Sequence, residues 1–196
     1  PGGLMTSRGC PARCTFCANH VTGRVFRWRS AADVVAELVA LRTRHGVGHF
    51  SFWDDAFTAN RPRLEALCDA ITAEPALSGV TWGCITPANM VRPRDLARMA
   101  AAGCTSINFG IESGDPGVLA DIQKGQRPEQ VLEAVRAAKA EGMQTIVNLM
   151  FGFPTEDLDA LERTGAFMAG LADVTDYFNT RGVLVPFPGT AIYDQH

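Results

Sequence analysis

The chain has 196 residues and 21.1 kDa, a net charge of −3, and 46% hydrophobic against 20% charged residues. That is the balance of one folded domain, not of a disordered segment. The 18 basic residues are scattered, which gives no footprint for nucleic acid or an anionic membrane, and no apolar run reaches the roughly 20 residues of a membrane-spanning helix.

In chain order, Leu4-Met5-Thr6-Ser7 is a short strand that runs into a cysteine-rich loop. Ser30 opens a capping signature, with Val34, Val35, Leu38, Val39 and Leu41 as the helical stripe and Gly46 as the stop. His49 to Trp53 is an aromatic strand, followed by a helix over Leu64, Leu67, Cys68 and Ile71. Val80 to Ile85 is the next strand, and a helix starts at Pro93 and stops at Gly103. Ser106 to Ile111 is a strand, and Pro128 opens a helix that ends at Gly142. Thr145 to Phe151 precedes a helix striped by Leu158, Leu161, Phe167 and Met168, and Tyr177 to Val185 is the last strand. Strand and helix alternate about six times, which predicts an α/β fold with a mainly parallel, curved sheet and outer helices. A closed eight-unit barrel needs about 250 residues, so the expectation is an incomplete (βα)6 TIM-like barrel spanning residues 1–196. Pro1-Gly2-Gly3, without an initiator Met, reads as the start of a piece excised from a longer protein.

Three of the six cysteines crowd into Cys10-Pro-Ala-Arg-Cys14-Thr-Phe-Cys17. Clustered thiols in a chain of this kind suit metal or redox chemistry in the cytoplasm better than a secreted disulfide framework. Three thiolates on one loop can grip one metal centre. Iron–sulfur cubanes normally take four cysteines, so three would leave one iron open to a small molecule. A Cys3His zinc site using His20 is the competing reading, although zinc ligands are usually paired units set further apart. Cys68, Cys84 and Cys104 fall on helix stripes or strands and read as packing thiols. Arg24, Arg27 and Arg29 around Trp28 form a small basic patch, by default a solvated loop.

The pattern C-x-x-x-C-x-aromatic-C, with Phe16 before the last cysteine, resembles the signature of the radical S-adenosylmethionine (SAM) enzymes. Phe52-Trp53-Asp54-Asp55-Ala56-Phe57-Thr58, Gly110-Ile111-Glu112-Ser113-Gly114, Gly152-Phe153-Pro154 and Pro186-Phe187-Pro188-Gly189-Thr190 extend the likeness along nearly the whole chain. They resemble the branch whose members often carry a preceding cobalamin-binding domain.

The resemblance implies that Cys10, Cys14 and Cys17 hold a 4Fe-4S cluster whose open iron binds SAM, which is cleaved reductively to a 5′-deoxyadenosyl radical. Cobalamin is implied too, bound mainly by a domain outside this chain, along with an electron donor such as flavodoxin or ferredoxin and a small-molecule or peptide substrate. By motif position, Phe16 packs by the cluster and offers backbone to the adenine. Asp54 and Asp55 stand where many relatives hold the SAM amino group with Gly-Gly-Glu, which leaves open which aspartate does so. Glu112, with Ser113, is placed at the ribose or amino-acid group. Lys124 is matched to the SAM carboxylate, Asn148 to an inward contact, and Gly152 and Pro154 to the adenine pocket. The alternatives are a cobalamin-independent radical SAM enzyme (a methylthiotransferase, cyclase or rearrangement enzyme) and a zinc-binding α/β module.

Overall fold

The computed structural model describes residues 2–20 and 24–195, with the side chain of His20 outside the described set. The elements are β1 (Gly2–Leu4), β2 (Ser7–Arg8), β3 (Arg27–Trp28), α1 (Ala31–His45), β4 (His49–Phe52), α2 (Arg61–Ala73), β5 (Thr81–Pro87) and α3 (Pro93–Ala101). They continue with β6 (Cys104–Glu112), α4 (Pro116–Asp121), α5 (Pro128–Ala140), β7 (Gln144–Phe151), α6 (Leu158–Leu171), β8 (Tyr177–Val183) and α7 (Ala191–Gln195). Six strands form one parallel sheet in the order β1-β4-β5-β6-β7-β8. Each crossover carries a helix, as parallel neighbours require. β1 and β8 have a sheet partner on one side only, so the barrel stays open between them.

Side chains alternate across each strand. Phe50, Phe52, Trp82, Ile107, Phe109, Ile111, Val147 and Leu149 are buried and join one core with Val34 and Leu38 of α1, Leu64 and Leu67 of α2, Leu96 and Met99 of α3, and Val131 and Val135 of α5. Each such side chain contributes about 1.5–3 kcal/mol when fully buried. The other face of the sheet presents Ser51, Ile85, Ser106, Asn108 and Asn148, all half-buried. Trp82 satisfies its indole on the Ala102 carbonyl at 2.7 Å. Local signals do what their chemistry suggests: Ser30 Oγ accepts from Asp33 N at 3.1 Å, and Asn60 and Asp157 cap α2 and α6 in the same way.

Three expectations need correcting. The first strand ends at Leu4, because Thr6 and Ser7 turn away to bond Asp54, and Ser7–Arg8 then pair antiparallel with Arg27–Trp28. On α6, Leu158 is 77% exposed and Leu161 is exposed as well. Its buried face is Ala160, Thr164 and Leu171, with Phe167 and Met168 partly covered, since Thr164 must reach the end of β6. The short helix α4, between β6 and α5, carries too few residues for a periodic stripe to reveal it.

Candidate functional site

The cysteine loop leaves β2 and is pinned at both ends. Gly9, with φ +85°, donates its amide to Asp55 Oδ2 at 2.8 Å; a backbone in this left-handed region favours glycine. Further along, Thr15 N donates to the Ile122 carbonyl at 3.0 Å, and Ile192 N donates to the Thr15 carbonyl at 3.2 Å. Phe16 meets Phe153 edge to face, with ring centroids 5.6 Å apart. The three thiols are thus carried on a loop stapled to α4, α7 and the end of β7. Cys10 is buried, and Cys14 and Cys17 are half-buried. Burial, ahead of the other influences, pushes the Cys10 and Cys14 thiols above the ordinary range. As free thiols they would be poor nucleophiles, whereas coordination deprotonates a thiol outright.

Asp54 and Asp55 divide sharply. The Asp54 carboxylate accepts from Thr6 N (2.7 Å), Thr6 Oγ1 (2.6 Å), Ser7 Oγ (2.5 Å) and the Arg63 guanidinium (3.1 Å), and it is 1% exposed. It anchors the strand end that launches the cysteine loop, and this internal network occupies both of its oxygens. Arg63 also donates to the Phe57 carbonyl at 2.8 Å and to Thr6 Oγ1, and it lies 4.9 Å from the Phe57 ring centroid. Asp55 is exposed, and its Oδ2 accepts from Gly9 N.

The end of β6 carries a second buried pair. Lys124 Nζ donates to Glu112 Oε1 at 2.6 Å. The ammonium lies 5.8 Å from the Phe16 centroid, within electrostatic reach of Cys14 and Cys17. Burial alone would lower the Lys124 ammonium, but Glu112, followed by Cys14, outweighs it and holds the group above its ordinary value. Glu112 sits at φ +73° and Gln123 at φ +51°; they are the described non-glycine residues with positive φ. Such backbone costs of order 1–3 kcal/mol and persists where the surroundings over-determine it, often at functional sites. A Cβ on Gly110 would come within 3.1 Å of Glu112 Oε1 and 3.3 Å of Lys124 Nζ, so the pair lies across this glycine.

The turn beyond Glu112 is locked from behind. Ser113 Oγ shares a hydrogen with Thr164 Oγ1 (3.0 Å) and accepts from Asp115 N (3.1 Å), while Gly114 N donates to Thr164 Oγ1 (3.1 Å). Ser113 is fully buried. Like Asp54 it is bonded from inside the fold.

Asn148 stands on the inner face, in a ladder across three strands. Its Nδ2 donates to Asn108 Oδ1 and the Phe109 carbonyl, and its Oδ1 accepts from Asn179 Nδ2 at 3.0 Å. Gly152 (φ +86°) donates its amide to Glu156 Oε2 at 2.6 Å, and Pro154 is exposed beside the buried Phe153. Arg29 of the basic patch is paired with Asp33 and Glu37.

Sequence reasoning missed Gln126, Phe153, Arg63 and Thr164. Gln126 is buried and ties the β6 end through Nε2 to the Ile111 carbonyl (2.9 Å), with its Oε1 buried and lacking a partner among the described residues. Phe153 was visible only as the middle of Gly-Phe-Pro. Arg63 and Thr164 act across 57 and 51 residues, a range at which no local spacing carries a signal.

Three thiols carried on one short loop have the chemistry that a cluster takes. Among the described residues, no three His, Cys, Asp or Glu side chains converge as a single-ion site. A cubane assigns each thiolate its own iron, so it needs a shared cavity and not convergence on a point. Near the loop lie the Lys124 ammonium, paired with Glu112, and the Gln126 Oε1 acceptor, which lacks a partner among the described residues.

A partly open parallel barrel with a three-cysteine loop at the carboxyl end of its first strand defines a class of cluster-binding enzyme core. The Radical SAM superfamily model matches residues 4–168, and the chain belongs to that superfamily. An uncharacterized methyltransferase of Pyrococcus horikoshii is 34% identical over 194 residues, covering 98% of this chain and 41% of that protein. Cytidylyl-2-hydroxyethylphosphonate methyltransferase of Streptomyces wedmorensis is 33% identical over 157 residues, covering 78% and 29%. The structure of the radical SAM methyltransferase TsrM from Kitasatospora setae, with cobalamin and a [4Fe-4S] cluster bound, superposes with TM-score 0.86 at 25% identity, covering 97% of this chain and 35% of that one. The chain thus spans less than half the length of these relatives. Among the described residues, no helix is long and apolar enough to cross a membrane.

Proposed function

We propose that this chain is the catalytic core of a cobalamin-dependent radical SAM enzyme, with Cys10, Cys14 and Cys17 holding a 4Fe-4S cluster. The observation that carries the reading is the placement of three loop thiols beside the Glu112–Lys124 pair, on strained backbone at the end of β6. When bound, the cluster and SAM supply one-electron chemistry at an unactivated carbon.

The chain's own residues bind and orient. Lys124, kept charged, faces the carboxylate of SAM, and Glu112 faces its ammonium or ribose hydroxyls, both as charge-assisted bonds. Asp55, open on its outer side, offers a second carboxylate to the ammonium. The Gln126 Oε1 acceptor has the polarity for a hydroxyl. Phe16 and Phe153 close the loop against water, Gly152 and Pro154 border the adenine, and Asn148 presents an amide edge on the inner face. Asp54, Arg63, Ser113 and Thr164 keep these groups in place.

The methyltransferase relatives and the cobalamin-bound TsrM support a methylation or related C–H functionalisation that uses cobalamin from a domain beyond this core. The substrate would be a small molecule or peptide, and the electron would come from a cytoplasmic donor such as flavodoxin or ferredoxin.

The test is reconstitution of the full-length protein without oxygen. About four irons per chain, lost in the Cys10→Ala, Cys14→Ala, Cys17→Ala variant, is the expected result. A colourless protein retaining one zinc would refute the cluster, and intact iron without bound cobalamin would refute the cobalamin half alone.

A further inference from the structure

The inner face of the sheet holds a cavity of its own, apart from the cysteine loop. It measures about 220 Å³ and is lined by Ser51, Trp53, Ile85, Ser106, Asn108 and Ile146, from four neighbouring strands and the residue after β4. Gly83 is part of the same wall, and a Cβ there would collide with Ser106 Oγ. A glycine at that point therefore lets the Ser106 hydroxyl lie over the sheet. Pockets for drug-sized molecules run to roughly 300–1,000 Å³, so this one suits a single group of a larger substrate.

Its chemistry departs from that of the chain. Charged residues make up 20% of the sequence, yet the lining contains none. It offers two hydroxyls, one carboxamide, two isoleucines and the Trp53 side chain, which is 60% exposed. The carboxamide is held in place: Asn108 Oδ1 accepts from Asn148 Nδ2, and Asn148 Oδ1 accepts in turn from Asn179 Nδ2 at 3.0 Å. Asn108 Nδ2 is left to donate outward, with no partner among the described residues. A charged group placed here would give up water and meet no counter-ion. An uncharged ring can lie on the indole, and an amide edge beside it can bond Asn108 and the hydroxyls.

The cavity opens toward the cysteine loop along β6. Ser106, Asn108 and Gly110 share one face of that strand, and Gly110 lies about 7 Å beyond Asn108. A Cβ at Gly110 would stand 3.1 Å from Glu112 Oε1 and 3.3 Å from Lys124 Nζ. With glycine there, no side chain of β6 separates the cavity from that pair.

Resting on the function proposed above, we infer that this cavity receives the substrate and selects an uncharged, planar group with a carboxamide- or lactam-like edge. Asn108 and Trp53 are its specificity-determining residues. A group seated on them holds the neighbouring carbon of the substrate toward the end of β6, where the radical chemistry is placed.

The test is a fluorine NMR titration of the full-length reconstituted protein labelled with 5-fluorotryptophan, the Trp53 resonance being assigned by its loss in Trp53→Phe. The probes are benzamide, benzoate and protonated benzylamine, which share a ring and differ in charge. Benzamide should shift the Trp53 resonance saturably, and each charged probe should need at least about tenfold more, a difference of about 1.4 kcal/mol. Asn108→Leu should weaken benzamide by a similar factor. Asn108→Asp, which supplies the missing counter-ion, should reverse the ranking in favour of benzylamine. Equal responses to the three probes, no response to benzamide, or an unchanged ranking in Asn108→Asp would overturn the selectivity. Iron content and dithionite-driven cleavage of SAM are read on the same wild-type sample. Their absence would overturn the function proposed above, and the substrate role of the cavity with it; their presence beside equal probe responses would overturn the selectivity alone.

Discussion

Two buried ion pairs occupy equivalent places, at the carboxyl ends of β4 and β6, and they have opposite characters. The Asp54 carboxylate is filled by two hydroxyls, an amide and the Arg63 guanidinium, on ordinary backbone. The Glu112 carboxylate has Lys124 as its partner among the described residues, on a backbone at φ +73°, beside the cysteine loop. A buried charge is tolerated when its bonding capacity is filled. The Asp54 carboxylate meets that condition within the protein and serves as scaffold, while Arg63 Nε beside it is buried without a partner among the described residues. The Glu112 carboxylate has Lys124 as its partner among the described residues, and in the function proposed above the ammonium and hydroxyls of SAM would add to it.

The contrast breaks most sharply at Arg63. Arg63→Ala leaves Asp54 buried without its cation and is expected to cost about 3–5 kcal/mol, read by chemical denaturation; a cost near zero would contradict the scaffold role. Phe153→Ala removes the ring that closes the cysteine loop and, at about 3–5 kcal/mol for a large-to-small core change, should also reduce the iron retained after reconstitution. Lys124→Met keeps the volume but removes the charge, and should raise the SAM concentration needed for half-saturation by about tenfold, equal to about 1.4 kcal/mol, at unchanged iron content. Asp54→Asn should instead lower stability and leave SAM affinity in the surviving folded protein nearly unchanged. Asn148→Ala should cost about 1 kcal/mol for the lost ladder bonds, the smallest of these effects.

The alternation of strand and helix was legible because each unit has its own period and cap: Ser30 before α1, Pro93 at α3 and Pro128 at α5 all mark helix starts. The cysteine loop was legible because its ligands lie within eight residues. The division of labour between Asp54 and Asp55 was not, because it depends on Thr6, Ser7 and Arg63, brought together by the β1–β4 pairing and the approach of α2. The internal bonding of Ser113 was hidden for the same reason: its partner, Thr164, arrives from a helix 51 residues on. Motif position placed Lys124 near the site, but its pairing with Glu112 depends on α4, a helix too short to announce itself.

The most direct measurement is a SAM titration of the reduced cluster's electron paramagnetic resonance spectrum in wild-type, Lys124→Met and Asp54→Asn proteins. The expected result is a SAM-dependent spectral change in the wild type, the same change at similar SAM in folded Asp54→Asn, and a requirement for about tenfold more SAM in Lys124→Met. An identical response in wild type and Lys124→Met would contradict the claim that the Glu112–Lys124 pair at the end of β6 receives the cofactor.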